Sequence, residues 1–338
     1  MPKMILTRAR VLLVFCVLCV LGATLYVARD MWMGPSQVAI VPHEALYQVR
    51  LSKLHQTNTL AAASGQMSYR LADACDGWNV AQKFNLVFVY TESPSALISS
   101  DYNTFESKDG RRYQFSTRRT RDGQVTDEIL GRAERRDPLG NGVVIYQKPK
   151  EAEVPLAANI LFPTQHTLEL LRAALAGKQW ISKPIFDGSD LAISTDVNSF
   201  IKKLNKPYLA KVKEIVPIVE GVEDPEAPVL AEEPAELLSH ATPMTAEEMN
   251  ESPLIKGTRA WRLRMAFYSG PEAAAMKDSE EQGEEDAAQE EEMTLVPDYE
   301  MTMVIHSNGL VSQFTLDYSD FSLEARLLSL AEVVGNSC

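Results

Sequence analysis

The sequence predicts a mainly β protein: a bent antiparallel sheet of about fourteen strands that closes into a spiral or open barrel, with one amphipathic helix. Three observations support this. Apolar and polar residues alternate along most of the chain, glycine-containing turns separate the alternating runs, and only one segment has helical spacing. A sheet of so many successive strands accumulates twist and has edges to cover, so we expect it to curve.

The clearest hairpin lies near the carboxyl end of the chain. Tyr299, Met301 and Met303 alternate with polar residues, and Asn308 and Gly309 supply the left-handed turn. Similar runs elsewhere give the full set of predicted strands. They lie near 44–54, 66–72, 80–91, 98–107, 111–118, 123–133, 142–148, 180–186, 190–199, 211–218, 259–268, 295–306, 310–318 and 321–330.

The predicted helix covers residues 165–176. Pro163 and Thr164 precede it, leucines at helical spacing form an apolar stripe, and Gly177 ends it. A single amphipathic helix beside a curved sheet is expected to cover its open end or its concave side.

The amino-terminal residues 1–34 are predicted to be a signal peptide or a signal anchor. Residues 11–27 carry no charge and follow Lys3, Arg8 and Arg10. This length lies between that of a signal-peptide core and that of a minimal membrane span. A cut after Ala23 or Ala28 lacks a small residue three positions back, so both alternatives stay open. Either one predicts export to the periplasm, and an uncleaved anchor predicts contact with the inner membrane.

The net charge of −13 comes from two insertions and not from the folded body. Stretches 220–256 and 272–292 each contain ten acidic residues and one basic residue, so the rest of the chain is slightly basic. Their composition predicts disordered acidic insertions within a single β-spiral domain over 40–338. The acidic balance also argues against nucleic-acid binding.

Beyond the export segment the cysteines are Cys75 and Cys338. In an oxidising compartment they are expected to form one disulfide bond, although two unrelated thiols remain an alternative.

The chain lacks the arrangements that indicate catalysis. It contains no glycine-rich phosphate loop, no G-x-S-x-G and no H-E-x-x-H. His166 is expected in the first turn of the helix in a packing role, and Asp73 and Asp76 flank Cys75 at a turn. We therefore predict a protein that is not an enzyme and that has no cofactor and no metal site.

Five ordered segments resemble the cell-envelope integrity protein B family, called EipB. They are DACDGW at 73–78, YNTFESKDGRRYQF at 102–115, ILFPTQHTLELLRAALAGK at 160–178, FDGSD at 186–190, and DYSDFSLEARLLSL at 317–330.

The resemblance implies a periplasmic protein of Gram-negative bacteria, folded as a long bent antiparallel sheet around a cleft, with one disulfide at the positions of Cys75 and Cys338. It carries over no catalytic residue. We expect a non-enzymatic factor that maintains the envelope by binding an amphipathic or acylated ligand, such as a lipid or lipoprotein, or a protein segment in the sheet. The alternative is a scaffold that meets a periplasmic partner through its outer face or acidic arms.

Overall fold

The structure, a computed structural model, describes residues 38–55, 60–191, 194–205, 243–269 and 296–333. Strands and two helices make up most of this part of the chain. The strands are β1 His43–Leu54, β2 Leu60–Asp73, β3 Gly77–Tyr90, β4 Ala96–Ser107, β5 Arg112–Arg121, β6 Gln124–Arg135, β7 Gly142–Lys148, β8 Ala152–Leu156, β9 Trp180–Ile185, β10 Thr195–Lys203, β11 Ala260–Ser269, β12 Tyr299–His306, β13 Val311–Asp317 and β14 Phe321–Glu332. The helices are α1 Pro163–Leu175 and α2 Ala246–Glu251.

All fourteen described strands belong to one sheet, in the order β8-β7-β6-β5-β4-β3-β2-β1-β14-β13-β12-β11-β10-β9. Each neighbouring pair is antiparallel, and β1 pairs with β14, so two meanders meet at the centre of the sheet. The sheet stays open, because β8 and β9 are its two edges. A single bridge joins Leu161, just after β8, to Ile185 at the end of β9. The predicted mainly β fold with an open, bent antiparallel sheet is confirmed.

Thirteen of the predicted strands coincide with described strands, whereas the one predicted at 211–218 lies outside the described residues. The sequence prediction missed β8, which has only five residues and contains Pro155. A proline lacks an N–H for the ladder, and β8 is an edge strand, where this loss is tolerated.

Helix α1 begins at Pro163 and its last turn is followed by Gly177, whose φ of 74° suits glycine. It packs against β9 and β10. The predicted helix is therefore present. Its buried leucines are Leu170 and Leu171, so only part of the expected apolar stripe is buried.

Residues 243–256, within the stretch predicted to be an acidic disordered insertion, are structured. Thr245 and Glu248 form a reciprocal capping box at the start of α2. Met249 and Ile255 are 2% and 1% exposed and pack in the core of the sheet. The rest of that stretch, and the insertion predicted at 272–292, lie outside the described residues.

Most core residues fall into two clusters on the sheet. The first, which we call the sealed core, lies on β5–β8, the segment before α1 and the loop after β9: Tyr113, Phe115, Ile129, Ala133, Val144, Tyr146, Leu156, Ile160, Phe162 and Phe186. The second, which we call the central core, lies on β1–β3, β13 and β14, with Met249, Ile255 and Leu310 added: Ala45, Tyr47, Val49, Ala63, Met67, Leu86, Phe314, Leu316, Leu323, Ala325 and Leu327.

No helix in the described ranges is long and apolar enough to cross a membrane. The predicted signal or anchor segment 1–34 lies outside those ranges.

Candidate functional site

The amino-terminal end of α1 is bound by a buried carboxylate from β4. Glu106, 2% exposed, accepts hydrogen bonds from the backbone N–H groups of Thr164 and Gln165 at 2.7 and 2.8 Å. These are unpaired groups of the first helical turn, where a negative charge is favoured. Burial nevertheless raises the pKa of Glu106 to about 7, against the lowering effect of those two bonds and of Arg135. Glu106 therefore holds the helix against the sheet.

Arg135 of β6 supports the same junction. Its Nη1 donates to the carbonyl oxygen of Ile160 at 2.9 Å, and its guanidinium lies 4.1 Å from the centre of the Phe162 ring. Its Nε and Nη2 have no hydrogen-bond partner. The side chain is 6% exposed, so burial lowers its pKa while Glu106 raises it. The two buried charges therefore compensate each other in part.

The loop after β9 is fixed by two tyrosines of the sheet. The hydroxyl groups of Tyr102 and Tyr113 both donate to the carbonyl oxygen of Asp187, at 2.6 and 2.7 Å, and lie 2.7 Å from each other. The next residue, Gly188, has a φ of 67°, and a Cβ there would lie 2.4 Å from the Phe115 ring. Only glycine fits this position without displacing the ring. The loop thus covers the sealed core.

A second contact joins the turn between β2 and β3 to the turn between β4 and β5. Lys108 donates to Asp73 at 2.7 Å, and Arg112 donates to Asp76 at 2.8 Å. Cys75 lies between the two aspartates with a φ of 67°. Asp73 and Asp76 therefore tie two turns together and do not face each other as an acid–base pair.

These contacts show that four of the five segments that carry the family resemblance meet in one region. The 102–115 segment contacts 73–78 through the turns, 160–178 through Glu106, and 186–190 through Tyr102 and Tyr113. The sequence reveals the segments, but only the curvature of the sheet brings them together. This region has the burial and contacts of a structural junction.

A different region, next to the central core, leaves several large side chains only partly buried, although Phe267 at its end is 7% exposed. Five aromatic rings follow one another from β3 to β11; we call this set the aromatic row. Adjacent centroids lie 4.4 to 6.1 Å apart, and Tyr299 stacks on Phe267 at 11°. The row consists of Phe88, Phe321, Tyr318, Tyr299 and Phe267.

The aromatic row lies on a concave part of the sheet. Phe88 is on β3 and Phe321 begins β14, with β2 and β1 between them in the strand order. Neighbouring strands are about 4.8 Å apart, so three steps across a flat sheet would separate the two by about 14 Å. Their ring centroids are 6.1 Å apart. The strands must therefore curve so that these side chains converge.

Two methionines extend the same surface. Met301 and Met303 of β12 pack partly buried against the central core, as do Phe88, Tyr299 and Phe321. Tyr318 is 38% exposed. Methionine and aromatic side chains adapt to apolar ligands of varied shape. The aromatic row with Met301 and Met303, called the open face below, is the candidate ligand-binding site.

Polar groups border the open face on one side. Burial raises the pKa of Tyr299 and Tyr318. Asp187 and Asp190 raise the pKa of Tyr299 further. Arg119 lowers the pKa of Tyr318 and so opposes the effect of burial there. Both phenols therefore stay neutral at physiological pH. Arg119 itself donates to Asp127 and to the carbonyl oxygen of Ser189. The phenol groups of Tyr299 and Tyr318 and the guanidinium of Arg119 therefore form a polar border to the open face.

Comparison with known proteins identifies the family. The model of the EipB-like family matches residues 35–217 and 235–333, with a gap at 218–234 that overlaps the first acidic stretch. The chain belongs to the EipB-like family. It is 25% identical over 320 residues to the cell envelope integrity protein EipB of Brucella abortus (strain 2308), and the match covers 91% of each chain.

A solved structure shares the fold of this EipB-like chain. It is the crystal structure of a beta-barrel-like protein of the domain of unknown function DUF1849 from Brucella abortus. The TM-score is 0.65 at 22% identity, and the match covers 88% of this chain and 100% of the other.

The residues that sequence analysis considered for chemistry are dispersed in the structure. His166 is buried in α1, and its Nε2 has no hydrogen-bond partner, so burial lowers its pKa to about 4. His306 has a pKa lowered to about 4 for the same reason, and its Nδ1 lies 2.7 Å from the Thr258 hydroxyl. Cys338 lies outside the described residues. The alternation pattern placed Tyr299, Met301 and Met303 on one face of a strand, but it did not indicate which side chains of the open face stay exposed.

Proposed function

We propose that this chain is a non-enzymatic periplasmic factor that maintains cell envelope integrity, and that its open face binds the apolar part of an amphipathic or acylated ligand. The name of the Brucella abortus relative supports the envelope role. The ligand is supported by one observation above all: a row of aromatic rings in which Phe88, Phe321 and Tyr299 are only partly buried and Tyr318 is 38% exposed.

A test is mass spectrometry of lipids extracted from protein purified from its native envelope. We expect a stoichiometric lipid or acylated molecule in the wild type and its loss from a Tyr318→Ser, Phe321→Ser variant. A Val125→Ser, Leu139→Ser variant is the matched control, because both residues are exposed apolar side chains outside the open face. Protein that is repeatedly empty in the wild type would contradict ligand carriage.

The second candidate is a scaffold for envelope-assembly proteins, and it is supported by the two acidic stretches. Its test is deletion of 220–242 and 272–292. Residues 243–256 are kept because Met249 and Ile255 belong to the central core. A scaffold loses partner capture on this deletion with an unchanged melting curve, whereas a carrier keeps its bound lipid.

The same proposal includes the pairing of Cys75 with Cys338. Cys75 is disulfide-bonded in the structure, which supports an oxidising compartment.

A further inference from the structure

The β9–β10 hairpin exposes two large aromatic side chains on the face that α1 does not cover. Trp180 and Phe200 are 53% and 59% exposed, and they are direct cross-strand partners, so they lie side by side. The alternate residues Ile181, Val197 and Ile201 are buried on the opposite face. The pair therefore points to solvent.

Phe200 departs from the alternation of buried apolar and exposed polar residues in β10, because it is apolar and exposed. The other solvent-facing positions of β10 are Asp196, Asn198 and Lys202. Single apolar residues are common on protein surfaces, but a tryptophan beside a phenylalanine near a sheet edge invites aggregation. Nothing in the packing of the described residues covers the pair.

Positive side chains surround this pair. Arg264 lies directly opposite Phe200 on β11, and Lys202 and Arg262 are the next cross-strand pair on the same face. Lys178 is two residues before Trp180. Arg264 bonds Glu300 at 2.7 Å, whereas Lys178, Lys202 and Arg262 form no ion pair within the described ranges. These residues, Lys178, Trp180, Phe200, Lys202, Arg262 and Arg264, are called the β9–β10 patch.

We propose that the β9–β10 patch docks the domain on an anionic lipid bilayer. Aromatic side chains partition to the boundary between headgroups and acyl chains, and lysine and arginine attract acidic headgroups. Lys178, Lys202 and Arg262, which form no ion pair within the described ranges, are complementary in charge to such a surface. A second copy of the chain is a poorer occupant, because a two-fold contact would bring the same cations together.

The sequence gives an independent reason for a membrane as the occupant. The uncharged residues 11–27 are predicted to bring the chain to the inner membrane during export, before any cleavage. The patch would add a contact that persists without that segment. It would also place the proposed carrier of an amphipathic ligand beside a source of such ligands. The test of the patch does not depend on ligand carriage.

The test is flotation of residues 38–338 with vesicles of phosphatidylcholine alone or with added phosphatidylglycerol. This part is expected to fold alone, because 39–338 form a compact unit, the family model begins at residue 35, and the solved relative is matched over its full length. We expect binding to the vesicles that contain phosphatidylglycerol, a blue shift of the Trp180 emission that Trp180→Phe removes, and weaker binding at high salt.

Two double variants separate the contribution of the cations to vesicle binding from that of the aromatic side chains. Lys202→Gln, Arg262→Gln should weaken binding about 25-fold, taking about fivefold for each cation near an anionic surface. Trp180→Ser, Phe200→Ser should weaken it at least tenfold, because two apolar side chains lose their burial. The matched controls Lys53→Gln, Lys150→Gln and Val125→Ser, Leu139→Ser should bind as the wild type does. Circular dichroism and denaturation check that each variant folds.

Three outcomes would overturn the proposal. One is equal binding to neutral and anionic vesicles, and another is unchanged binding by both patch variants. The third is a concentration-dependent dimer in light scattering that the Trp180→Ser, Phe200→Ser variant abolishes, which would assign the pair to a second copy.

Discussion

The sealed core and the open face use the same residue types in opposite ways. Tyr113 and Phe162 are both 0% exposed, whereas Tyr318 on the open face is 38% exposed. The segment before α1 and the loop after β9 cover the sealed core through Phe162 and Phe186. On the central core, α2 and its flanks add Met249 and Ile255, yet Phe88, Tyr299 and Phe321 of the aromatic row remain only partly buried. One region is built for stability, and the other keeps apolar surface available.

The largest expected difference between the two regions is the cost of removing an aromatic ring. Phe162 stacks on Tyr113 at 4.9 Å and under Arg135, so Phe162→Ala leaves a cavity in a closed core. We expect a loss of about 4 kcal/mol in the free energy of unfolding. Phe321→Ala on the open face should cost less than half as much, because water can reach the vacated space. Urea denaturation measures both, and equal losses would contradict the distinction.

The proposed disulfide joins Cys75, in the turn between β2 and β3, to Cys338, which lies outside the described residues. A bond between them closes a loop of more than 260 residues. We expect Cys75→Ser to lower the free energy of unfolding by about 3 to 4 kcal/mol.

Reduction of the wild type should lower stability by the same amount and leave Cys75→Ser unchanged. Thermal denaturation with and without reductant measures this. Two free thiols in exported wild-type protein would show that the pairing is wrong.

The buried Glu106 should make the stability of the sealed core depend on pH. Its pKa is raised from 4.5 to about 7 in the folded protein, so the folded state holds the proton more tightly. Glu106 therefore adds to the free energy of unfolding below about pH 4.5, and this contribution is lost as the pH rises to about 7. The loss is on the order of 2 to 3 kcal/mol.

The variant Glu106→Gln isolates this contribution. His166 and His306 have pKa values lowered to about 4 in the folded protein. They therefore make the free energy of unfolding rise with pH between about pH 4 and 6.5, opposite to the effect of Glu106. The wild type and the variant share these histidines, so the difference between their stability curves reports Glu106. We expect that difference to fall with rising pH. A rise would mean that the helix N–H groups and Arg135 outweigh burial.

Local patterns were enough to predict most of the fold. The β12–β13 hairpin was predicted with its faces, and Met301 and Met303 indeed lie opposite Leu316 and Phe314. The strand β8 was missed because five residues with Pro155 give too short an alternation. The helix α2 was missed because its acidic surroundings suggested disorder, although Thr245 and Glu248 form a recognisable capping box.

The candidate site depends on contacts that no local pattern encodes. Phe88 and Phe321 are more than 230 residues apart in sequence and touch only because the sheet curves. The same curvature brings Glu106 of β4 to the start of α1. Alternation predicts which side chains share a face, but the degree of exposure along that face follows from how far the sheet bends and from what covers it.

The smallest expected effect, removal of a single hydroxyl group, provides the sharpest test of the comparison. The Tyr113 hydroxyl group donates to the carbonyl oxygen of Asp187 in the sealed core, so Tyr113→Phe should cost about 1 kcal/mol. The carbonyl keeps its bond from Tyr102, which limits the loss. The matched change Tyr318→Phe should stay within about 0.5 kcal/mol, because Tyr318 is 38% exposed. Denaturation of the two variants under one condition measures the difference. A larger loss at Tyr318 would mean that the open face is part of the packed interior, and its assignment as a ligand surface would fail with it.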